Sequence, residues 1–298
     1  MRIFQKILCP VDFSDYSVLA LRYATALARE YEAQLFVYHS VPDLEQVLTY
    51  LEGNYSSTVC DMLFSNAKDK LEQFVAKVVP EAGEAMQKIG AGSPSEAILK
   101  VSQEEGVDLI VMGTHGHTGY DRFLLGSVTN KVLHKCATPV LVVCKPSHHF
   151  IQPDSEHPVD IKRILCAIDF EPNTERMKDL ALSLARTYQS EMLFLHVLTN
   201  GGHADLDERK EQVLLKMKEL FHPEQEDWCK VEFVVEAGDP AEAITKVTKR
   251  HDIDLVIMGH HTRKPIDELF LGSVTKRVVP DSACPVLVVR SQADLVFS

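Results

Sequence analysis

The sequence predicts an α/β protein of two tandem domains, each a five-stranded parallel sheet, doubly wound by helices. Three observations predict it. The chain is written twice: Ile7-Leu8-Cys9-Pro10-Val11-Asp12-Phe13 returns 157 residues later as Ile164-Leu165-Cys166-Ala167-Ile168-Asp169-Phe170, and His39 returns as His196. Within each copy, short apolar runs alternate with stretches of helical period, as strands buried on both faces do between crossover helices. The 298 residues also suit two domains of about 150 residues each.

In the first copy, Ile7 to Val11 is the opening apolar strand. Leu21, Ala24, Leu27, Ala28 and Tyr31 then form a helical stripe. Leu35 to Tyr38 is a second strand, and Ala67, Leu71, Phe74, Val75 and Val78 mark a second helix. A weak strand near Ala85 to Ile89 precedes Ser93-Pro94-Ser95-Glu96, which has the pattern of a helix start with a capping box. Asp239-Pro240-Ala241-Glu242 has the same role in copy two. Leu109 to Met112 and Val140 to Val143 are the fourth and fifth strands, with a helix from about Ser127 between them. Asp108 to Gly113, Leu125 to Thr129 and Pro139 to Val143 all return at an offset of 146, so copy two has lost residues between His39 and Gly92. The stretch from Pro146 to Asp160 lacks an apolar period. The expected organisation is therefore a domain over 1–146, a linker over 147–160 and a second domain over 161–292. The closing strands Val140–Val143 and Val286–Val289 are expected at sheet edges, where unpaired strands invite pairing.

Composition narrows the function. The net charge of −12 disfavours a partner with a phosphate backbone. No apolar run approaches the ~20 residues that span a bilayer. Met1 to Lys6 lacks the apolar centre of a secretion leader. Seven cysteines with no C-x-x-C pair suit reduced thiols, so the expected location is the cytoplasm. Cys9 and Cys166 are expected as small core residues.

The informative segment is Gly113-Thr114-His115-Gly116, nine residues, then Gly126-Ser127. It leaves a strand and enters a helix. Glycine there allows close backbone approach to a ligand, and the next helix offers unpaired N–H groups and a positive dipole end. Ser127 and Thr129 add hydroxyls. The lysine of a Walker loop is missing. By spacing alone, a tight turn followed by an N-cap at Ser127 explains the segment equally well.

With these residues the chain resembles the universal stress protein family. The pattern G-x-x-G-x(9)-G-S/T is present as Gly113, Gly116, Gly126 and Ser127. The opening strand with its turn to Ser14, Leu125 to Thr129, and Thr138 to Val143 match as well. The resemblance covers both copies, as in a tandem-type member, and implies a Rossmann-like fold of the adenine nucleotide alpha-hydrolase type. It also implies a site for ATP or another adenine nucleotide. Pro10, Val11, Asp12 and Met112 would lie beside the ribose and phosphates, and the backbone at Ser40 would meet the adenine edge. Gly113, His115, Gly116, Gly126, Ser127, Val128 and Thr129 would hold the phosphates. Mg²⁺ or Mn²⁺ would be carried by the phosphates, with Asp12 as a candidate ligand. Asp12 has a plainer reading, as a cap for the helix that starts near Ser14.

Copy two keeps Asp169, Gly259, Gly272, Ser273, Val274 and Thr275 but replaces the second glycine by Thr262, followed by Arg263-Lys264-Pro265. Copy one is therefore expected to be the better nucleotide site. His115, His117, His260 and His261 gather at the two bends without a recognised metal spacing and are expected as loop donors or solvated groups. His39 and His196 are expected near the sheet edge. No catalytic set stands at a defensible spacing. Slow ATP hydrolysis or autophosphorylation is allowed by the resemblance, with Ser127 and Thr129 as candidates by proximity. Three readings stay open: a nucleotide-occupancy stress regulator, a slow ATPase or transferase, and a ligand-free module. The last would assemble as a pseudo-dimer within the chain or a homodimer through the closing strands.

Overall fold

The structure is a computed structural model, and it describes residues 3–42, 56–80, 85–114, 125–144, 149–152, 155–199, 206–221, 229–260 and 272–290. The first copy runs β1 (Lys6–Pro10), α1 (Asp15–Tyr31), β2 (Gln34–Val41), α2 (Ser56–Val78), β3 (Met86–Ala91), α3 (Pro94–Glu104), β4 (Leu109–Gly113), α4 (Ser127–Lys135) and β5 (Val140–Val143). The second runs β6 (Arg163–Ala167), α5 (Thr174–Tyr188), β7 (Glu191–Leu198), α6 (Leu206–Glu219), β8 (Val231–Ala237), α7 (Pro240–Arg250), β9 (Leu255–His260), α8 (Ser273–Asp281) and β10 (Val286–Arg290).

The strands form one ten-stranded sheet in the order β3-β2-β1-β4-β5-β10-β9-β6-β7-β8. Every neighbouring pair is parallel except β5 and β10. The two halves therefore share one sheet through an antiparallel seam, in which Val140 faces Val288, Leu141 faces Leu287 and Val142 faces Val286. The closing strands lie at the centre of the sheet and not at an edge, and pair with each other as the pseudo-dimer within the chain requires.

Alternation along each strand divides the core between the two faces of the sheet. Ile7, Cys9, Val37, Leu109, Val111 and Leu141 pack with α1, α2 and their counterparts α5 and α6. Leu8, Phe36, Ile110, Met112, Val140 and Val142 pack on the other face with α3, α4, α7 and α8. Both clusters run through both halves. The stripe of α1 is buried as its period requires: Leu21 and Ala24 are fully inside, and Leu27, Ala28 and Tyr31 nearly so. Cys9 and Cys166 are fully buried, and burial holds both thiols well above their ordinary range.

A matched carboxylate fixes the start of the first strand in each half. Asp108 Oδ2 accepts from the N–H groups of Gln5 and Lys6 at 2.8 and 2.9 Å, and Asp254 Oδ2 accepts from Lys162 and Arg163, both at 2.9 Å. The connecting segment is anchored as well as polar. Ile151 bridges Val159 antiparallel, and Phe150 packs edge-on against Tyr23 at 4.9 Å. The two helix-start motifs behave differently. Asp239 accepts the N–H of Glu242 at 3.0 Å, as a cap should, whereas Ser93 makes no side-chain cap and its hydroxyl meets that of Ser95 at 3.4 Å. Among the described residues, no helix is long and apolar enough to cross a membrane.

Candidate functional site

In a sheet of this order the carboxyl ends of β1 and β4 flank the point where the connections reverse, and ligands bind there. The end of β1 continues into Pro10, Val11 and Asp12. The Val11 N–H donates to Tyr38 at 2.8 Å, which ties this turn to β2. Asp12 then takes up its capping role. Its Oδ1 accepts from the Ser14 N–H at 3.1 Å and from the hydroxyls of Ser14 and Ser17, both at 2.6 Å. Its own N–H donates back to Ser17 Oγ at 2.9 Å. Ser14 is the N-cap of α1 and accepts from the Ser17 N–H.

Met112 lies inside the core and Gly113 closes β4. A Cβ at Gly113 would stand 2.7 Å from Tyr16 Cβ and 3.1 Å from the Tyr16 carbonyl carbon and oxygen. The glycine is therefore required where the first turn of α1 crosses the end of β4, before any ligand is considered. Gly126 is the N-cap of α4, so Ser127 is the first helical residue and not the cap the spacing suggested. The Gly126 N–H donates to the Thr114 carbonyl at 2.7 Å, which joins the end of β4 to the start of α4. Ser127 is exposed and Val128 partly so. Thr129 is 4% exposed and donates its only hydroxyl hydrogen to the Gly113 carbonyl at 2.8 Å. It fixes the bend and has no hydroxyl donor left for a ligand. Of the two candidate hydroxyls, Ser127 alone faces solvent. His115, Gly116 and His117 lie outside the described residues.

Ser40 lies near the end of β2, with its hydroxyl on the Gly92 carbonyl at 3.1 Å. A cavity of about 580 Å³ begins close by, lined by Tyr38, Gly90, Gly92, Ser93, Lys88 and Lys100 among others. It runs along β3 and α3, away from Gly113 and Ser127.

The second half rebuilds this end with changes. Asp169 Oδ1 accepts only the Glu171 N–H at 3.2 Å among the bonds described, because Glu171 and Thr174 stand where Ser14 and Ser17 do. A Cβ at Gly259 would meet Asn173 Nδ2 and Met177 Sδ at 3.2 Å. Gly272 caps α8, Ser273 is exposed, Val274 partly so, and Thr275 is buried. The N–H of Gly272 donates to His260 Nδ1 at 3.4 Å, so an imidazole closes this bend where a backbone carbonyl closes the first. His260 is 1% exposed and meets His134 of α4 at 5.7 Å between rings. This corrects its reading as a solvated loop donor. His261, Thr262, Arg263, Lys264 and Pro265 lie outside the described residues.

His39 and His196 lie near the edges of the sheet as expected, on β2 and β7, each one strand in from the outermost strand. Each Nδ1 bonds a carbonyl of the neighbouring turn: Val11 at 2.8 Å and Ile168 at 2.9 Å. The residues around them were missed in the sequence because they come from three separated segments. The signal was present all the same, for Phe13, His39 and Lys70 return as Phe170, His196 and Lys216 at the two repeat offsets.

The comparisons with known proteins agree with this architecture. A model of the universal stress protein family matches residues 3–144 and 160–290. The chain belongs to the universal stress protein family. A universal stress protein of Mycolicibacterium smegmatis is 28% identical over 299 residues, covering 95% of this chain and 96% of that protein. One from Methanocaldococcus jannaschii is 31% identical over 154 residues, 47% of this chain and 95% of its own length, as a single-copy relative would be. The crystal structure of a universal stress protein from Archaeoglobus fulgidus superposes with a TM-score of 0.70 at 23% identity, over 98% of both chains, and shows the same fold. Both matched segments of this universal stress protein therefore carry the family domain, in tandem.

Proposed function

We propose that this universal stress protein binds an adenine nucleotide at the carboxyl ends of β1 and β4, and that occupancy acts as a stress-response signal. The observation that carries the reading is the joint between β4 and α4. There Gly113, Thr114, Gly126 and Thr129 are locked together by two short hydrogen bonds, leaving the first turn of α4, with exposed Ser127, as a preformed anion-binding end. In this reading Pro10, Val11, Asp12, Ser40 and Met112 flank the nucleoside, and His115 and Gly116 complete the phosphate loop. Mg²⁺ or Mn²⁺ would enter on the phosphates. Asp12 Oδ1 already accepts three hydrogen bonds, so that oxygen is ill suited to hold the ion alone. The second half, with Asp169, Gly259, Gly272, Ser273, Val274 and Thr275, is the weaker site. Hydrolysis or self-phosphorylation, if either occurs, falls to Ser127 rather than Thr129. We place the domains at 1–146 and 161–292, in the cytoplasm.

The test is a thermal-shift titration of the full chain with MgATP. A ligand that binds only the native state adds about 2.7 kcal/mol at 100 times its Kd. A rise in Tm that Gly126→Val removes supports the reading. No shift with any adenine nucleotide overturns it and favours a ligand-free module, for which the continuous sheet across the seam is the supporting observation.

A further inference from the structure

The turn after the first strand holds a phenylalanine in the left-handed region in both halves: Phe13 at φ 68° and Phe170 at φ 61°. A bulky L-residue adopts this conformation only where its surroundings impose it. The surroundings are the same twice. The Phe13 ring packs on His39 at 4.3 Å between centroids, and Lys70 Nζ stands 4.2 Å above it. The Phe170 ring packs on His196 at 4.8 Å, with Lys216 Nζ at 4.1 Å. In each half the imidazole Nδ1 also bonds the carbonyl that precedes the aspartate. A carbonyl only accepts, so Nδ1 carries the hydrogen. In the first half the peptide unit between Val11 and Asp12 is thereby held at both ends, its oxygen by His39 and its N–H by Ser17 Oγ. Glutamate and threonine replace the two serines in the second half, yet the phenylalanine, histidine and lysine keep their arrangement.

We propose that His39 and His196 are positioning residues for ligand binding. Each clamps the peptide before the strand-end aspartate, and with the lysine-capped phenylalanine fixes where Asp12 or Asp169 meets the sugar of a bound nucleotide. The inference rests on the nucleotide reading above and deepens it. The histidine, phenylalanine and lysine of the clamp are present in both halves, whereas the serine that holds the peptide N–H in the first half is replaced by Thr174 in the second.

The experiment is calorimetric titration of the full chain with MgATP, comparing wild type, His39→Leu and His39→Asn. Leucine keeps bulk and removes the donor, while asparagine places an amide N–H where Nδ1 stood. The expected result is a Kd weakened roughly tenfold in His39→Leu, about 1.4 kcal/mol, and restored by His39→Asn, each Kd measured below the variant's own ligand-free Tm. Wild-type affinity in His39→Leu overturns the clamp and leaves the nucleotide reading standing. Failure of the wild type to bind any adenine nucleotide removes that reading and the clamp with it. Where His39→Leu does not fold, His39→Gln replaces it, since its N–H lies one carbon too far out. Weak binding by His39→Gln beside normal binding by His39→Asn supports the clamp, and equal binding by both overturns it.

Discussion

The space above Gly113 is filled by Tyr16, with its Cβ where a new methyl group would have to go. Backbone atoms of α1 cannot swing aside as a flexible side chain can. Gly113→Ala is therefore expected to destabilise the ligand-free chain by about 1–3 kcal/mol, the usual range for overpacking, measured by denaturant unfolding. The two half-buried histidines set a pH dependence. Burial, aided by Lys70 or Lys216, lowers the pKa of His39 and His196 from 6.5, against the opposing pull of the carbonyl bond and of Asp12 or Asp169. Below pH 6.5 the unfolded chain therefore takes up protons before the native one does. The contribution of these groups to stability is complete above that pH and is lost as pH falls toward the lowered native values. Unfolding at pH 7.5 and 5.5 should show the loss, and the double variant His39→Asn, His196→Asn should reduce it.

Helices and strands were the most readable level of this chain, and the reason is physical. Apolar runs such as Leu109 to Met112 admit a strand buried on both faces, and the stripe from Leu21 to Tyr31 admits one helix face. Capping was less readable. Ser93 and Asp239 begin the same motif, but the Ser93 hydroxyl meets Ser95 instead of the helix amide, and only Asp239 caps. The site was half readable. Sequence spacing found the bend from Gly113 to Ser127 and left a plain turn open; the family resemblance assigned Gly113 and Thr129 to a ligand, and the structure uses them first for packing and for closing the bend. The matched carboxylates give a prediction at this scale. Asp108→Ala removes two hydrogen bonds to a charged acceptor at the start of β1 and should cost about 2–3 kcal/mol. The loss should appear as faster amide exchange in β1 and β4 and not in β6.

The whole molecule depends on the seam. Leu141 and Leu287 face one another across it, 3% and 2% exposed, in the core that both halves share. Truncating both to alanine should cost about 2–5 kcal/mol per site. Scanning calorimetry is then expected to resolve two transitions in this variant and one in the wild type. The sequence offered pairing of these strands within the chain or between two chains and could not choose, because pairing between distant segments leaves no local period. Antiparallel pairing at the seam also sets direction. The ten strands point their carboxyl ends to opposite rims, five to each, so two occupants would sit back to back with a sheet between them. Helix α4 runs from one rim toward the other over about 13 Å, with Ser127 at its first turn and His134 beside His260 at its last. The helix therefore spans the distance between the two rims, and the expected outcome of adding MgATP to the full chain is a change in the imidazole resonance of His260.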